Sequence, residues 1–422
     1  MGNEAGQYAL TFLLMFAIST GVPISPLLAA RMGASWIEIG LMGSAWGVVF
    51  TFSAFLTGRI SDRIGRRPVL AASSGLSALA ALLFLRAGSV PELIAIRGLE
   101  GLAWACFWPP IEALATERAR SERMGRGIGF VTTAYALGFA MGSFAGGLMT
   151  SLFGFALAFE TYFTIASLSI LAVWFIEAPR RVRHREPLLQ DRLLSILFSR
   201  PLVLGNFLGA SYTFGLATVM ALLSVYAAGN GIPVFWIGVT LSIFWIGRIF
   251  GAAFAGSSSD RFGRKRVALL ALIVGCVGFA MIGSAAELLL LAVGSFLAGL
   301  SVGGMFPVNV AIIADAVEPE FRGGAMGFFE MTCAIAFMTA SAFGGFTAQA
   351  VNPRTPYLFS AVVFACCALA LAVFLPHQLR PQPNARNRQL FDSQRKSVPS
   401  EELPFLSSLG PNAFLRFTED TL

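Results

Sequence analysis

The sequence predicts an all-α, polytopic membrane protein of twelve transmembrane helices arranged as two six-helix repeats. Composition is the first reason. Of 422 residues, 56% are hydrophobic and only 13% charged, with a mean hydropathy of +0.72, whereas soluble domains carry about 25% charged residues. Run length is the second. Stretches such as those starting at Gln7 and Arg266 stay apolar over the roughly 20 residues an α-helix needs to cross a bilayer, and a barrel would instead show alternating strands of ~10. The third is a repeat: the basic segment at Gly58 returns 198 residues later.

The first six spans are expected near residues 7–30, 36–57, 68–86, 91–115, 125–152 and 155–177, and the second six near 202–228, 233–255, 266–285, 288–314, 323–349 and 355–375. The chain then divides into a bundle over 1–177, a cytoplasmic linker over 178–201, a second bundle over 202–375 and a tail over 376–422. The opening residues lack a basic region and the first apolar run is too long for a signal peptide, so it reads as an uncleaved span. Gly6 stands where N-myristoylation requires Ser or Thr. The linker is basic and then amphipathic over Leu188–Phe198, suited to the inner membrane face. The tail, rich in Pro, Ser, Asn and Arg, is expected to be disordered.

Arginine placement sets the orientation. Arg59, Arg63, Arg66 and Arg67 follow span two, Arg118, Arg120, Arg123 and Arg126 follow span four, and Arg180, Arg181, Arg183 and Arg185 follow span six. Arg261, Arg264, Lys265 and Arg266 follow span eight, while the alternate links are almost uncharged. The basic links are therefore expected on the cytoplasmic side, with both termini there. The net charge of +7 then reflects topology. No nucleic-acid partner is expected, because the basic residues are scattered between spans and form no patch with stacking aromatics.

The segment "GRISDRIGRRPVL" at Gly58 is answered by "GSSSDRFGRKRVAL" at Gly256, and the same shift of 198 carries Gly101 onto Gly299, Pro109 onto Pro307, Gly129 onto Gly327 and Gly147 onto Gly345. A register held without a gap over ninety residues implies an internal duplication, the parallel-repeat arrangement in which a site forms between halves near the midplane. The doubled G-x-x-x-D-R-x-G-R-[RK] resembles the signature turn of the major facilitator superfamily, a resemblance that covers residues 7–375. "RGLEG" (Arg97–Gly101) is similar to the R-x-x-Q/E-G of span four, and "GFAMGSFAGG" (Gly138–Gly147) to the G-x-x-x-G-P-x-x-G-G of span five, with Ser143 in the place of the proline. These two point toward the drug–proton antiporter-like branch.

Charge in the basic turns suits a latch that must form in one state and break in another. Asp62 is placed to meet the positive N-terminal end of a helix of the other half, which the resemblance identifies as span eleven near Gly323. Arg63 and Arg66 can pair with local acids such as Glu117. Gly58 and Gly65 permit close approach and a tight turn. Gly256, Asp260, Arg261, Gly263 and Arg264 form the counterpart facing span five. Topology alone also accounts for the arginines, but acids contribute little to orientation.

A charge at the bilayer centre costs ~2.5–3.5 kcal/mol on insertion scales, so Arg97 and Glu100 matter. At i, i+3 they can neutralise each other. Trp104, Trp108 and Glu112 continue the stripe at steps of four, which suits a cavity wall for an amphipathic or cationic solute and a proton path. A structural ion pair with packing aromatics is the competing reading. The resemblance further implies a link between Arg97 and proton transfer. Asn309 after Pro307 and Tyr212 are further cavity candidates, Tyr212 and Tyr226 being as readily packing residues. Asp315 and Glu330 read as gate partners of the basic turns, Arg248 as a cytoplasmic snorkelling anchor, and Glu160 as lying near the outer interface. Gly138, Gly142 and Gly146, with Gly147, mark close helix packing or an antiporter device, with equal weight.

Span one has no acid, so proton coupling falls to Glu100, Glu112 or another carboxylate. His184 and His377 lie outside the spans and suit no metal site. The five cysteines read as packing residues. No phosphate-binding loop is present, and neither a catalytic constellation nor a cofactor is expected. The resulting expectation is a monomeric, non-enzymatic secondary transporter exporting a small organic molecule against protons. Uptake of a metabolite, and a membrane receptor or scaffold that no longer transports, are the alternatives.

Overall fold

A computed structural model describes residues 5–118, 124–176, 199–317 and 321–374. Among them the chain forms thirteen helices. The first span is broken: α1 (Ala5–Gly21) ends before Val22-Pro23-Ile24 and α2 (Ser25–Arg31) restarts with Pro26 in its first turn. Pro23 cannot donate to the preceding turn and Pro26 suits a helix start, so one apolar run becomes two helices. Each later helix is one span: α3 (Trp36–Ile64), α4 (Arg66–Phe84), α5 (Val90–Arg118), α6 (Met124–Phe153) and α7 (Phe155–Val173) complete the first half. The second contains α8 (Arg200–Gly229), α9 (Val234–Phe262), α10 (Arg264–Ser284), α11 (Leu288–Ala316), α12 (Arg322–Ala350) and α13 (Thr355–Phe374).

Length and apolarity alone mark eleven membrane spans, α1 and α2 counted together. The twelfth, α5, carries Arg97, Glu100 and Glu112 and an internal Pro109-Pro110. It packs between α3 and α4, and the repeat register superposes it on α11, whose Pro307 matches Pro109.

The basic turns are shorter than the sequence suggests. Helix α3 runs through Asp62 and Arg63 to Ile64, and only Gly65, at φ 102°, separates it from α4. Gly263, at φ 91°, does the same between α9 and α10. Both need the left-handed region that glycine enters without a Cβ penalty. At the other end of α3, the Ser35 hydroxyl accepts from Glu38 N–H at 3.3 Å and the Ser35 N–H donates to Glu38 at 2.8 Å, a capping box.

The two halves repeat their packing. Within the first, α1 packs on α6 and α7, α3 on α5, and α4 on α5 and α7; within the second, α8 packs on α12 and α13, α9 on α11, and α10 on α11 and α13. Individual contacts repeat as well. Arg66 donates to Ser61 Oγ at 2.9 Å and Arg264 to Ser259 Oγ at 2.7 Å, both pairs shifted by 198. Ser73 Oγ donates to Ala103 O at 2.7 Å, and across the matching helices Ser301 Oγ donates to Ala271 O at 2.6 Å.

Between the halves, α3 meets α12 and α6 meets α9. The closest approaches lie toward the face away from the arginines: a Cβ on Gly40 would stand 2.6 Å from Ser341 O, and one on Gly147 2.7 Å from Gly238 Cα. Ser44 Oγ donates to Met338 O at 2.8 Å and Ser242 Oγ to Ala140 O at 2.6 Å. Toward the basic face, a Cβ on Gly58, Gly129, Gly256 or Gly327 meets nothing within 4 Å. The halves are thus joined at one face and parted at the other.

Candidate functional site

Between the joined face and the parted one lies a cavity of about 150 Å³ walled by both halves, a volume similar to that of an engineered apolar pocket that accepts benzene. Its walls are mainly aromatic. Trp104 and Trp108, one turn apart on α5, stack with their rings 13° from parallel. Tyr135 and Phe139 of α6 meet Trp245 of α9 across the junction, at 5.3 and 4.3 Å between ring centroids. On the other side, Trp46 of α3 lies 4.8 Å from Phe337 of α12. Phe50, Ala105 and Ala334 pack together beneath.

Arg97 and Glu100 form a buried ion pair, and the Tyr162 hydroxyl of α7 donates to the second carboxylate oxygen at 2.9 Å. Both charged residues are under 10% exposed and border the cavity. The stripe anticipated on α5 therefore lines the cavity from Arg97 to Trp108. Glu112, a turn beyond Trp108, is half-buried and outside the lining, although near enough to interact electrostatically with Glu330. Glu330 itself lines the cavity from α12, where the sequence suggested a gate at the basic turns. Tyr212 also lines it, with its hydroxyl 3.8 Å from Cys333 Sγ. Asn309 does not. It is fully buried in α11, and neither amide atom finds a partner.

The largest departure concerns Arg248. Sequence reading puts it beside the basic turn, but α9 extends to Phe262, so 14 residues, or about 21 Å of helix, separate Arg248 from either end of α9. Arg248 instead lines the cavity, its guanidinium 5.1 Å from the Tyr135 ring and 5.0 Å from that of Trp245. One signal pointed there: under the 198 shift Arg248 occupies the position of Phe50, another cavity residue.

At the basic turns, Asp62 pairs with Arg66 within its own half at 2.6 Å, and Arg264 meets Asp315 at 3.3 Å. Arg261 lies over Phe262. The side chains of Glu117 and Asp260 fall outside the described residues, as do Leu188–Phe198, the tail and both histidines. Gly138, Gly142 and Gly146 face α1, where Phe12, Phe16 and Thr20 leave no room for a Cβ, whereas Gly147 faces Gly238 of the other half. Among the described residues no cluster of His, Cys, Asp and Glu could hold a metal.

Known proteins share this architecture. The probable 4-methylmuconolactone transporter of Cupriavidus pinatubonensis is 26% identical over 72% of this chain and 73% of its own length. Multidrug resistance protein MdtG of Salmonella paratyphi A is 25% identical over 74% of this chain and 80% of its own. A solved bacterial homologue of the human lysosomal transporter Spinster superposes with a TM-score of 0.73 at 13% identity, over 88% of this chain and 97% of that one, a likeness of fold. The family model of the Major Facilitator Superfamily matches residues 8–247 and 207–417. The chain is accordingly a member of the Major Facilitator Superfamily, an integral membrane transporter and not an enzyme.

Proposed function

We propose that the protein moves a small organic molecule by alternating access, as a monomer, with bundles 1–177 and 202–375 rocking about the central cavity and transport coupled to protons. The basic face is cytoplasmic on the arginine rule, with both termini on that side. The observation that carries this reading is the cavity itself, bordered by both halves, ringed by indoles and phenyl rings and containing Arg97, Glu100, Glu330 and Arg248. Such residues at membrane depth are costly and retained for pathways and proton relays.

The halves in the present state are parted at the basic face, so Asp62 holds Arg66 on its own half. In the opposite state the two halves close there, Asp62 reaches the N-terminal end of α12, whose free N–H groups favour an anion, and Asp260 makes the equivalent contact with α6. Glu330 in the cavity wall and Glu112 a turn beyond Trp108 are two acids of the membrane-spanning helices that could carry a proton. That arrangement supplies a proton carrier without an acid in the first span.

Export is supported by the likeness to MdtG and by the span-five glycines. Uptake is the second reading, favoured by Arg248: a solute that brings negative charge near Glu330 is admitted most readily together with a proton. In liposomes containing a pH-sensitive dye, pooled organic solutes should drive proton movement that Glu330→Gln abolishes. Solute flux that is undiminished in Glu330→Gln and insensitive to the pH gradient would remove the coupling from this account.

A further inference from the structure

Two arginines line the cavity, and among the described residues only Arg97 has a carboxylate within ion-pair distance. Arg97 is paired with Glu100, which is also held by Tyr162. Arg248 has no carboxylate in ion-pair distance among the described residues, and its Nη1, although shielded from solvent, has no hydrogen-bond partner. The rings of Tyr135 and Trp245 brace the guanidinium and the Tyr135 hydroxyl lies beside it, which leaves Nη1 as its unpartnered group.

A guanidinium stays charged in proteins and presents donors in a fork that fits a carboxylate. Its charge at mid-helix, in a wall made mainly of aromatic and aliphatic side chains, calls for an anion that the cavity admits. Glu330 borders the same space, so a singly charged group is tolerated better than a phosphate dianion. Trp104 and Trp108, both edge-on to the Tyr135 ring, and Phe337 add apolar ring surface to the same cavity.

We infer that the cavity binds a planar, ring-bearing carboxylate, whose oxygens accept hydrogen bonds from Arg248 while its ring packs among the tryptophans. This rests on the cavity being the transport site and adds the class of its occupant.

The test uses the full-length protein in lipid nanodiscs and follows quenching of cavity tryptophan fluorescence by 2-naphthoate, by the isosteric 2-naphthamide, and by the cationic 2-naphthyltrimethylammonium. The carboxylate should bind the unmodified protein at least tenfold more tightly than either analogue. Arg248→Gln should remove that preference, and Arg248→Lys should restore part of it. Equal or tighter binding of the amide or the cation to the unmodified protein overturns the inference, as does absence of naphthoate binding or full retention of its preference in Arg248→Gln. Because the comparison among the three probes needs no variant, a folding defect in Arg248→Gln leaves the inference open to refutation. Dye-reported proton movement driven by a cationic solute would refute the carboxylate and keep the transporter. Naphthoate binding without any solute flux would keep the site and refute the proposed coupling.

Discussion

The two halves of this protein share a frame and differ in chemistry. The same helix pairs pack, the same glycines turn the chain at Gly65 and Gly263, and the same arginine–serine bonds brace the turns. The polar lining is not repeated. Where the first half places Arg97, Glu100 and Tyr162, the positions 198 residues on hold Ser295, Ala298 and Ser360. The second half supplies Arg248 where the first has Phe50. Duplication thus preserved what both halves need in order to pack and move, while the recognition chemistry, which one central cavity needs only once, diverged.

That comparison predicts unequal effects at the lining and matched effects in the frame. The largest inequality is expected at the ion pair. Glu100→Ala strands the buried Arg97 charge at a cost of about 3–5 kcal/mol, whereas Ser295→Ala, at the position related to Arg97 and with an unpartnered hydroxyl, should change stability by less than about 1 kcal/mol. Chemical denaturation in detergent followed by fluorescence would show both. Next come Gly101→Val and Gly299→Val. Each presses a side chain onto a backbone carbonyl, of Trp46 or of Phe244, and each should cost about 1–3 kcal/mol or more by overpacking. Clearly different costs would break the frame symmetry.

Ser73→Ala and Ser301→Ala remove matched hydrogen bonds, and each should cost about 1 kcal/mol. The smallest stability effect is expected for Asp62→Asn, because an i, i+4 pair with a part-exposed acid is worth about 0.3–0.5 kcal/mol. If Asp62 is a latch, transport should nevertheless fall severely. A variant with normal flux would reduce the Asp62–Arg66 pair to a surface contact.

The helices were legible because apolar runs of membrane length were separated by arginine-rich turns, and the run over 91–115 stood out as a span despite its charges and prolines. The Arg97–Trp108 wall was legible from spacing, since steps of three and four place residues on one helical face. Tyr162 was not, because its bond to Glu100 joins helices 62 residues apart in sequence. The break after Gly21 was hidden within a continuous apolar run. Arg248 was misplaced because polar Ser257–Asp260 look like the end of a span, whereas α9 continues through them as helix. Periodicity locates a residue along a helix only as well as the helix ends are known.

Alternating access is the central claim, and interhalf distances test it most directly. Spin labels at Ile64 and Gly327 report the basic face, and labels at Leu41 and Phe346 the opposite one; all four positions are exposed. In reconstituted protein the account predicts two distance populations for each pair. The short basic-face population should coincide with the long opposite-face population, and Asp62→Asn should deplete both together. A single distance at each face, unchanged by Asp62→Asn and by pH, would contradict it.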